Sequence, residues 1–157
     1  MIILGIDPGT ANTGYGIIND NKELTYIHHG VIKTSPKDCA GERLRQINNQ
    51  ISHLIKEYSP DILAIETIYF FVNAKTAMPV SQAKGSILLT AAKKKIPVKE
   101  FSPLTIKLIT TGSGKAKKKD VQLAVQKILQ LKDLPKPDHA ADALAVAITC
   151  IAKLKEA

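Results

Sequence analysis

The chain has 157 residues, a formal charge of +8 and two cysteines, Cys39 and Cys150. That length suits a single domain, 1–157, that buries most of its apolar surface without disulfide or metal staples. No apolar run nears the ~18 residues of a membrane span. The opening Met-Ile-Ile-Leu-Gly-Ile-Asp has no basic stretch and meets an acid at position 7, which argues against a secretory signal. The cysteines lack redox or metal spacing, so free thiols in a reducing cytoplasm are expected. The basic balance points to a polyanionic partner, with a Lys-rich solvated surface as the plainer explanation. The only arginines are Arg43 and Arg45. Contacts to backbone phosphate rather than bidentate reading of guanine are therefore expected.

Residues 2–7 form a continuous apolar run ending in Asp7, closed by Pro8-Gly9, and predict a buried central strand. After a turn at 10–13, Thr13 to Asn19 predicts a second strand whose glycines permit close backbone approach. Asn19-Asp20-Asn21-Lys22 is a hairpin signal, and a third strand runs from Leu24 to Lys33. Three strands joined by short turns make an antiparallel meander. From Ala40 to Tyr58, apolar residues at Leu44, Ile47, Ile51, Leu54 and Ile55 have the spacing of an amphipathic helix. Ile62 to Glu66 is a second apolar run that ends in a carboxylate. The helix between the runs allows a parallel crossover, which brings Glu66 to the same sheet edge as Asp7. A loop at 67–73 carries Tyr69, Phe70 and Phe71. Beyond it lie a helix over 76–94 with Pro79 in its first turn, a short strand over 97–101 and a short helix over 103–110. A basic loop at 111–119 feeds a helix ending near Leu131, and a Pro-rich linker at 134–137 precedes a last helix from Asp138 or His139 to Lys153.

The last helix opens Asp138-His139-Ala140-Ala141-Asp142. His139 and Asp142 share a face by their spacing, and Asp138 and Asp142 can share one too. Asp138 also has a plain role as the helix N-cap. The small residues at 140, 141 and 143 let the helix press against a sheet. Carboxylates gathered without compensating charge repel one another, and a divalent cation removes that cost. Oxygen ligands with one imidazole suit Mg²⁺ or Mn²⁺. A two-ion site supports in-line attack of water on a phosphodiester.

Several stretches together resemble the RuvC Holliday-junction resolvases of bacteria. They are Ile3 to Gly9, Thr13 to Gly16, Ala64 to Glu66, Gln82 to Gly85, Lys107, Gly112 to Lys115, Lys118 and Ala140 to Thr149. The resemblance runs nearly the whole chain in order. It implies an α/β, RNase H-like fold with a five-stranded mixed sheet of order 3-2-1-4-5 flanked by helices. It also implies a nuclease that makes two symmetric, metal-dependent nicks at four-way junctions, in recombination and repair. Asp7, Glu66 and Asp142 fall on three of the family's four catalytic and metal-binding acids, and His139 falls on the fourth. The resemblance implies two Mg²⁺ ions per site, with Mn²⁺ as a substitute. Tyr69 falls on an aromatic that stacks on an unpaired base at the crossover. Lys107 and Lys118 match DNA-contacting lysines, Lys115 adds to that patch, and Lys84 lies in the dimer-forming Gln82–Gly85 stretch and is expected to bind DNA. A homodimer, and the branch-migration proteins RuvA and RuvB as partners, are implied in the same way.

Asp7-Pro8-Gly9-Thr10 followed by Thr13-Gly14 also resembles the phosphate loop of actin-like and sugar kinases, which need a second domain that 157 residues do not supply. An RNase H-like nuclease acting on RNA or on other branched DNA would share the same acids. A non-catalytic junction-binding module would share the fold and the basic surface but has no need of the intact acids.

Overall fold

The computed structural model describes residues 1–68 and 74–157. Strands β1 (Ile2–Asp7), β2 (Asn12–Asn21) and β3 (Glu23–Lys33) form the meander. Helix α1 (Ala40–Tyr58) then leads to β4 (Ile62–Glu66), and α2 (Ala74–Lys93) leads to β5 (Val98–Phe101). Three helices close the chain: α3 (Pro103–Thr111), α4 (Lys118–Ile128) and α5 (Asp138–Glu156). The strand order is β3-β2-β1-β4-β5. β1 pairs antiparallel with β2 and parallel with β4, and β5 is parallel to β4. The crossover through α1 thus sets Glu66 beside Asp7 at one edge, as expected.

The apolar run of β1 is continuous because both faces of the strand are covered. Ile3 packs with Ile18, Ala64 and the buried side of α5, while Leu4 and Ile6 pack with Ile17, Leu63, Ile65 and the apolar faces of α1 and α2. Side chains alternate along a strand. Asp7 therefore shares the α5 face with Ile3, and Glu66 shares it with Ala64.

Helix α5 lies almost on the backbone of the sheet. A Cβ at Gly5 would overlap the Ala143 carbonyl and touch Ala147, and a Cβ at Gly14 would overlap the His139 carbonyl. Ala140, Ala143 and Ala147 are fully buried in this contact. Glycine on the strands and alanine on the helix are one requirement, because only their joint smallness admits the helix at this depth.

Several boundaries differ from the sequence expectation, among them an end of β2, α2 and α4. β2 continues to Asn21, pairing past an irregularity at Ile17/Ile18, and the chain reverses with Lys22 at φ 68°. The hairpin is tighter than the Asn-Asp-Asn-Lys turn suggested, since Asn19 to Asn21 still find partners on β3. α2 begins at Ala74, so Pro79 sits inside the helix rather than in its first turn, and its missing N–H leaves one carbonyl of the preceding turn without a helical partner. α4 ends at Ile128, earlier than Leu131.

The tight seat of α5 gives the first prediction. Gly14→Ala should lower stability by about 1–3 kcal/mol. Gly41→Ala, where a Cβ meets nothing within 4 Å, should be neutral or gain up to about 1 kcal/mol. Urea denaturation of the two variants checks the contrast.

Candidate active site

A cavity of about 290 Å³ opens where the ends of β1 and β4 face the start of α5, and Asp7, Glu66, His139 and Asp142 all line it. Lys107 of α3 and Lys118 of α4 complete its polar wall, over a floor of Ile106, Val121 and Val146. The sheet register supplies the first two acids. The seat of α5 on Gly14 brings the other two groups down onto them.

The groups are already coupled. His139 Nδ1 lies 2.8 Å from Asp7 Oδ2. A protonated Glu66 can also donate a hydrogen bond to Asp7. Lys118 Nζ stands 3.9 Å from Asp142 Oδ2. Asp142 is half-buried and Lys118 is exposed, so that pair is weak and salt-screened.

Burial and mutual repulsion push the carboxyls upward. Glu66 is raised from 4.5 to about 8, first by burial, then by the Asp7 charge and hydrogen bond and by Asp142, with Lys107 opposing. Asp142 is raised from 3.8 to about 6 by burial and by Asp7, with Lys118 and His139 opposing. His139 is raised from its ordinary value, chiefly by its hydrogen bond to Asp7, against its own burial. The reason is general. Two like charges 4 Å apart repel by about 4 kcal/mol at an effective dielectric constant near 20, so a cluster this dense keeps protons unless positive charge is added.

That donor set, three carboxyls and one imidazole, fits a hard divalent cation such as Mg²⁺ or Mn²⁺. Two of its carboxyls are held toward the neutral form by a cost that the cation removes. Among the described residues, no three His, Cys, Asp or Glu side chains are yet grouped closely enough to hold an ion. Asp7 is instead shared between Glu66 and His139.

Asp138, adjacent to His139, turns away from this cavity. It is the first residue of α5, after Pro137 in the N-cap position, and its Oδ1 accepts a hydrogen bond from Gln122 Nε2 at 2.8 Å. Gln122 is buried on α4 and also donates to the Pro135 carbonyl. It thereby holds the start of α5 and separates the roles of the two neighbours. Its signal in the sequence is slight, a polar residue beside Val121 on the buried side of a helix.

The basic residues fall in three places. Lys107 and Lys118 line the cavity. Lys115 lines a separate cleft between α3 and α4, with Ser113, Asp120 and Lys127. Lys84 is not brought to either. Its ammonium pairs with Glu100 of β5 and its side chain is only 16% exposed, because α2 packs on the opposite face of the sheet from α5. Lys84 therefore stands apart from the acidic cavity. Tyr69 lies outside the described residues.

The raised acids carry a pH signature. An acid whose folded pKa exceeds its unfolded one stabilises the fold below the unfolded value, and that stabilisation is lost as pH rises through the folded value. Glu66, Asp142 and His139 all act in this sense. The metal-free protein should therefore lose stability between about pH 4 and pH 8. Glu66→Gln should flatten the loss and be the more stable form at the alkaline end by at least about 1 kcal/mol. Urea midpoints in EDTA across that range test this, and parallel curves for the two proteins would refute it.

A family model described as crossover junction endodeoxyribonuclease RuvC matches residues 3–150. The protein of that name from Treponema denticola is 51% identical over 150 residues, spanning 95% of this chain and 84% of the relative. Its counterpart from Fusobacterium nucleatum is 45% identical over 155 residues, spanning 98% and 82%. Among solved structures, Thermus thermophilus RuvC in complex with Holliday junction substrate matches with a TM-score of 0.92 at 34% identity, over 99% of this chain and 96% of that one.

Proposed function

The chain belongs to the RuvC family of crossover junction endodeoxyribonucleases, and from that premise we propose that it resolves Holliday junctions in recombination and repair by two symmetric, Mg²⁺-dependent nicks. The observation that carries the reading is the cavity itself. Acids from two strand ends and a helix meet beside two lysines, in a chain of net charge +8.

Asp7, Glu66, Asp142 and His139 would hold the metal, two Mg²⁺ ions with Mn²⁺ as a substitute. When bound, such ions lower the pKa of attacking water and stabilise the leaving 3′ oxygen. The chain's own groups do the rest. Lys107 and Lys118 attract the phosphodiester and orient it over the acids. With Nδ1–H donated to Asp7, His139 keeps Nε2 as its one acceptor, made more basic by Asp7, and that nitrogen either ligates the metal or takes a proton from attacking water. The buried floor of Ile106, Val121 and Val146 keeps bulk water from one side of the site.

Two sites acting on two like strands call for a two-fold partner. Met78, Gln82, Gly85 and Leu89 recur at helical spacing on the outer side of α2, with Met78 68% and Leu89 54% exposed and open space over Gly85. The other side of the helix buries Ala83 and Ile87 against the sheet. A second copy of the chain covering this stripe makes the homodimer. Family kinship supports RuvA and RuvB as partners and the cytoplasm as the location. No helix among the described residues is long and apolar enough to cross a membrane.

Cleavage of a four-way junction should require Mg²⁺ or Mn²⁺ and fail in Ca²⁺ or EDTA, with duplex DNA and RNA hybrids cut far more slowly. Asp7→Asn should lose at least about 10³-fold in rate yet still bind junctions in EDTA. His139→Ala should slow cleavage more than it weakens binding, and rates equal to wild type at every pH would end its proposed role. Leu89→Glu should convert a dimer to a monomer in sedimentation. A wild-type protein that sediments as a monomer at micromolar concentration would remove the dimer from this account.

A further inference from the structure

A second cavity, of about 340 Å³, lies on the other side of His139. Its wall includes Gly9 and Thr10 of the β1–β2 turn, Asn12 at the start of β2, Arg43 of α1 and Lys75 of α2, with His139 shared between the two cavities. Their charge is opposite. The first holds three carboxyls, whereas no carboxylate is among the described residues lining the second.

Arg43 is the unusual residue here. The chain uses lysine for every basic position except 43 and 45. Arg45 is accounted for by its bidentate pair with Glu42. Arg43 is half-buried and pairs with no carboxylate among the described residues. Its Nε donates to Thr34 Oγ1 at 2.9 Å, and Thr34 in turn donates to the Thr10 carbonyl at 2.6 Å. This relay fixes the guanidinium against the turn and leaves its two terminal nitrogens, the pair that grips a phosphate bidentately, without a partner among the described residues. Lys75 adds an exposed second cation.

We infer that this cavity is a phosphate subsite for the strand being cut: Arg43 and Lys75 hold a backbone phosphate neighbouring the one presented to Asp7, Glu66 and Asp142. The inference rests on the proposed nuclease reading. A strand that crosses His139 passes from the acidic, metal-requiring cavity directly into one that carries only positive charge. Clamping the neighbouring phosphate fixes the register of the scissile one, which a lysine patch alone does less well, because an ammonium is a point charge without the planar fork. The occupant is a phosphodiester of the nucleic acid rather than free phosphate, since the two cavities share a wall.

The test is the salt dependence of DNA binding in EDTA, measured on a four-way junction and on duplex for wild type, Arg43→Gln, Arg43→Lys, Lys75→Ala and Lys107→Ala. Loss of a phosphate contact should lower the slope of log K against log[salt] by about one and weaken binding evenly across sequences. Arg43→Gln and Lys75→Ala should each show this. Arg43→Lys should keep the slope but recover only part of the affinity. Lys75 is exposed, so its variant keeps the test sound even if Arg43→Gln lowers stability. Unchanged slopes for Arg43→Gln and Lys75→Ala, with a reduced slope for Lys107→Ala, would overturn the subsite and leave the nuclease reading standing. Equal wild-type affinity for junction and duplex would overturn junction selectivity, while the slopes on duplex would still decide the subsite. Binding of inorganic phosphate that depends on Arg43, with DNA slopes unchanged, would reassign the cavity to free anion and also overturn the proposal.

Discussion

The contact between α5 and the two central strands governs most of what this molecule can do. Helix and sheet usually meet through layers of side chains. Here Gly5 and Gly14 bring the α5 backbone onto the sheet, where a single added methyl would collide with the Ala143 or His139 carbonyl. The consequence is geometric. Side chains near the start of α5 reach groups at the ends of β1 and β4 that would lie beyond them across an ordinary interface. The hydrogen bond between His139 and Asp7 joins residues 132 positions apart, and it exists because glycine and alanine occupy the intervening layer.

That closeness has an electrostatic cost that the site retains. Asp7, Glu66 and Asp142 share a small cavity, and two of them are driven toward the neutral form by burial and by one another. A core selected only for stability would replace such a cluster with apolar residues. Its presence beneath two lysines supports the proposed reading, in which the site takes an added cation and an anionic substrate. The basic surface and the acidic cavity are complementary parts. In the proposed function, lysine attracts the polyanion over a long range and the acids select what happens where it lands.

The start of α5 is held from several sides. Gln122 of α4 engages Asp138 and the Pro135 carbonyl, His29 of β3 reaches the Lys136 carbonyl at 3.2 Å, and Gly14 of β2 lies against the His139 carbonyl. These contacts keep the two nitrogens of His139 between one cavity rich in carboxyls and another lined by Arg43 and Lys75. The imidazole thus stands between a cavity lined by carboxyls and one lined by cations.

Much of this was legible in the chain alone. The apolar runs ending at Asp7 and Glu66, joined by an amphipathic helix, determine parallel neighbours whose last side chains share a face, because strand alternation and crossover rules are local and short in reach. The small residues of 140–147 announce a close-packed helix. What the chain left open were choices between neighbours and partners. Asp138 and His139 stand side by side, and only Gln122, arriving from another helix, draws one away and leaves the other to Asp7. Lys84 belongs to a stretch read as functional, yet it is paired with Glu100 on the far side of the sheet. Arg43 and Lys75 lie on separate helices and meet around the β1–β2 turn. Periodicity tells which face of an element is buried. Which residue of another element stands opposite depends on how whole helices are seated, and that is decided in three dimensions, here by two glycines and the helix that rests on them.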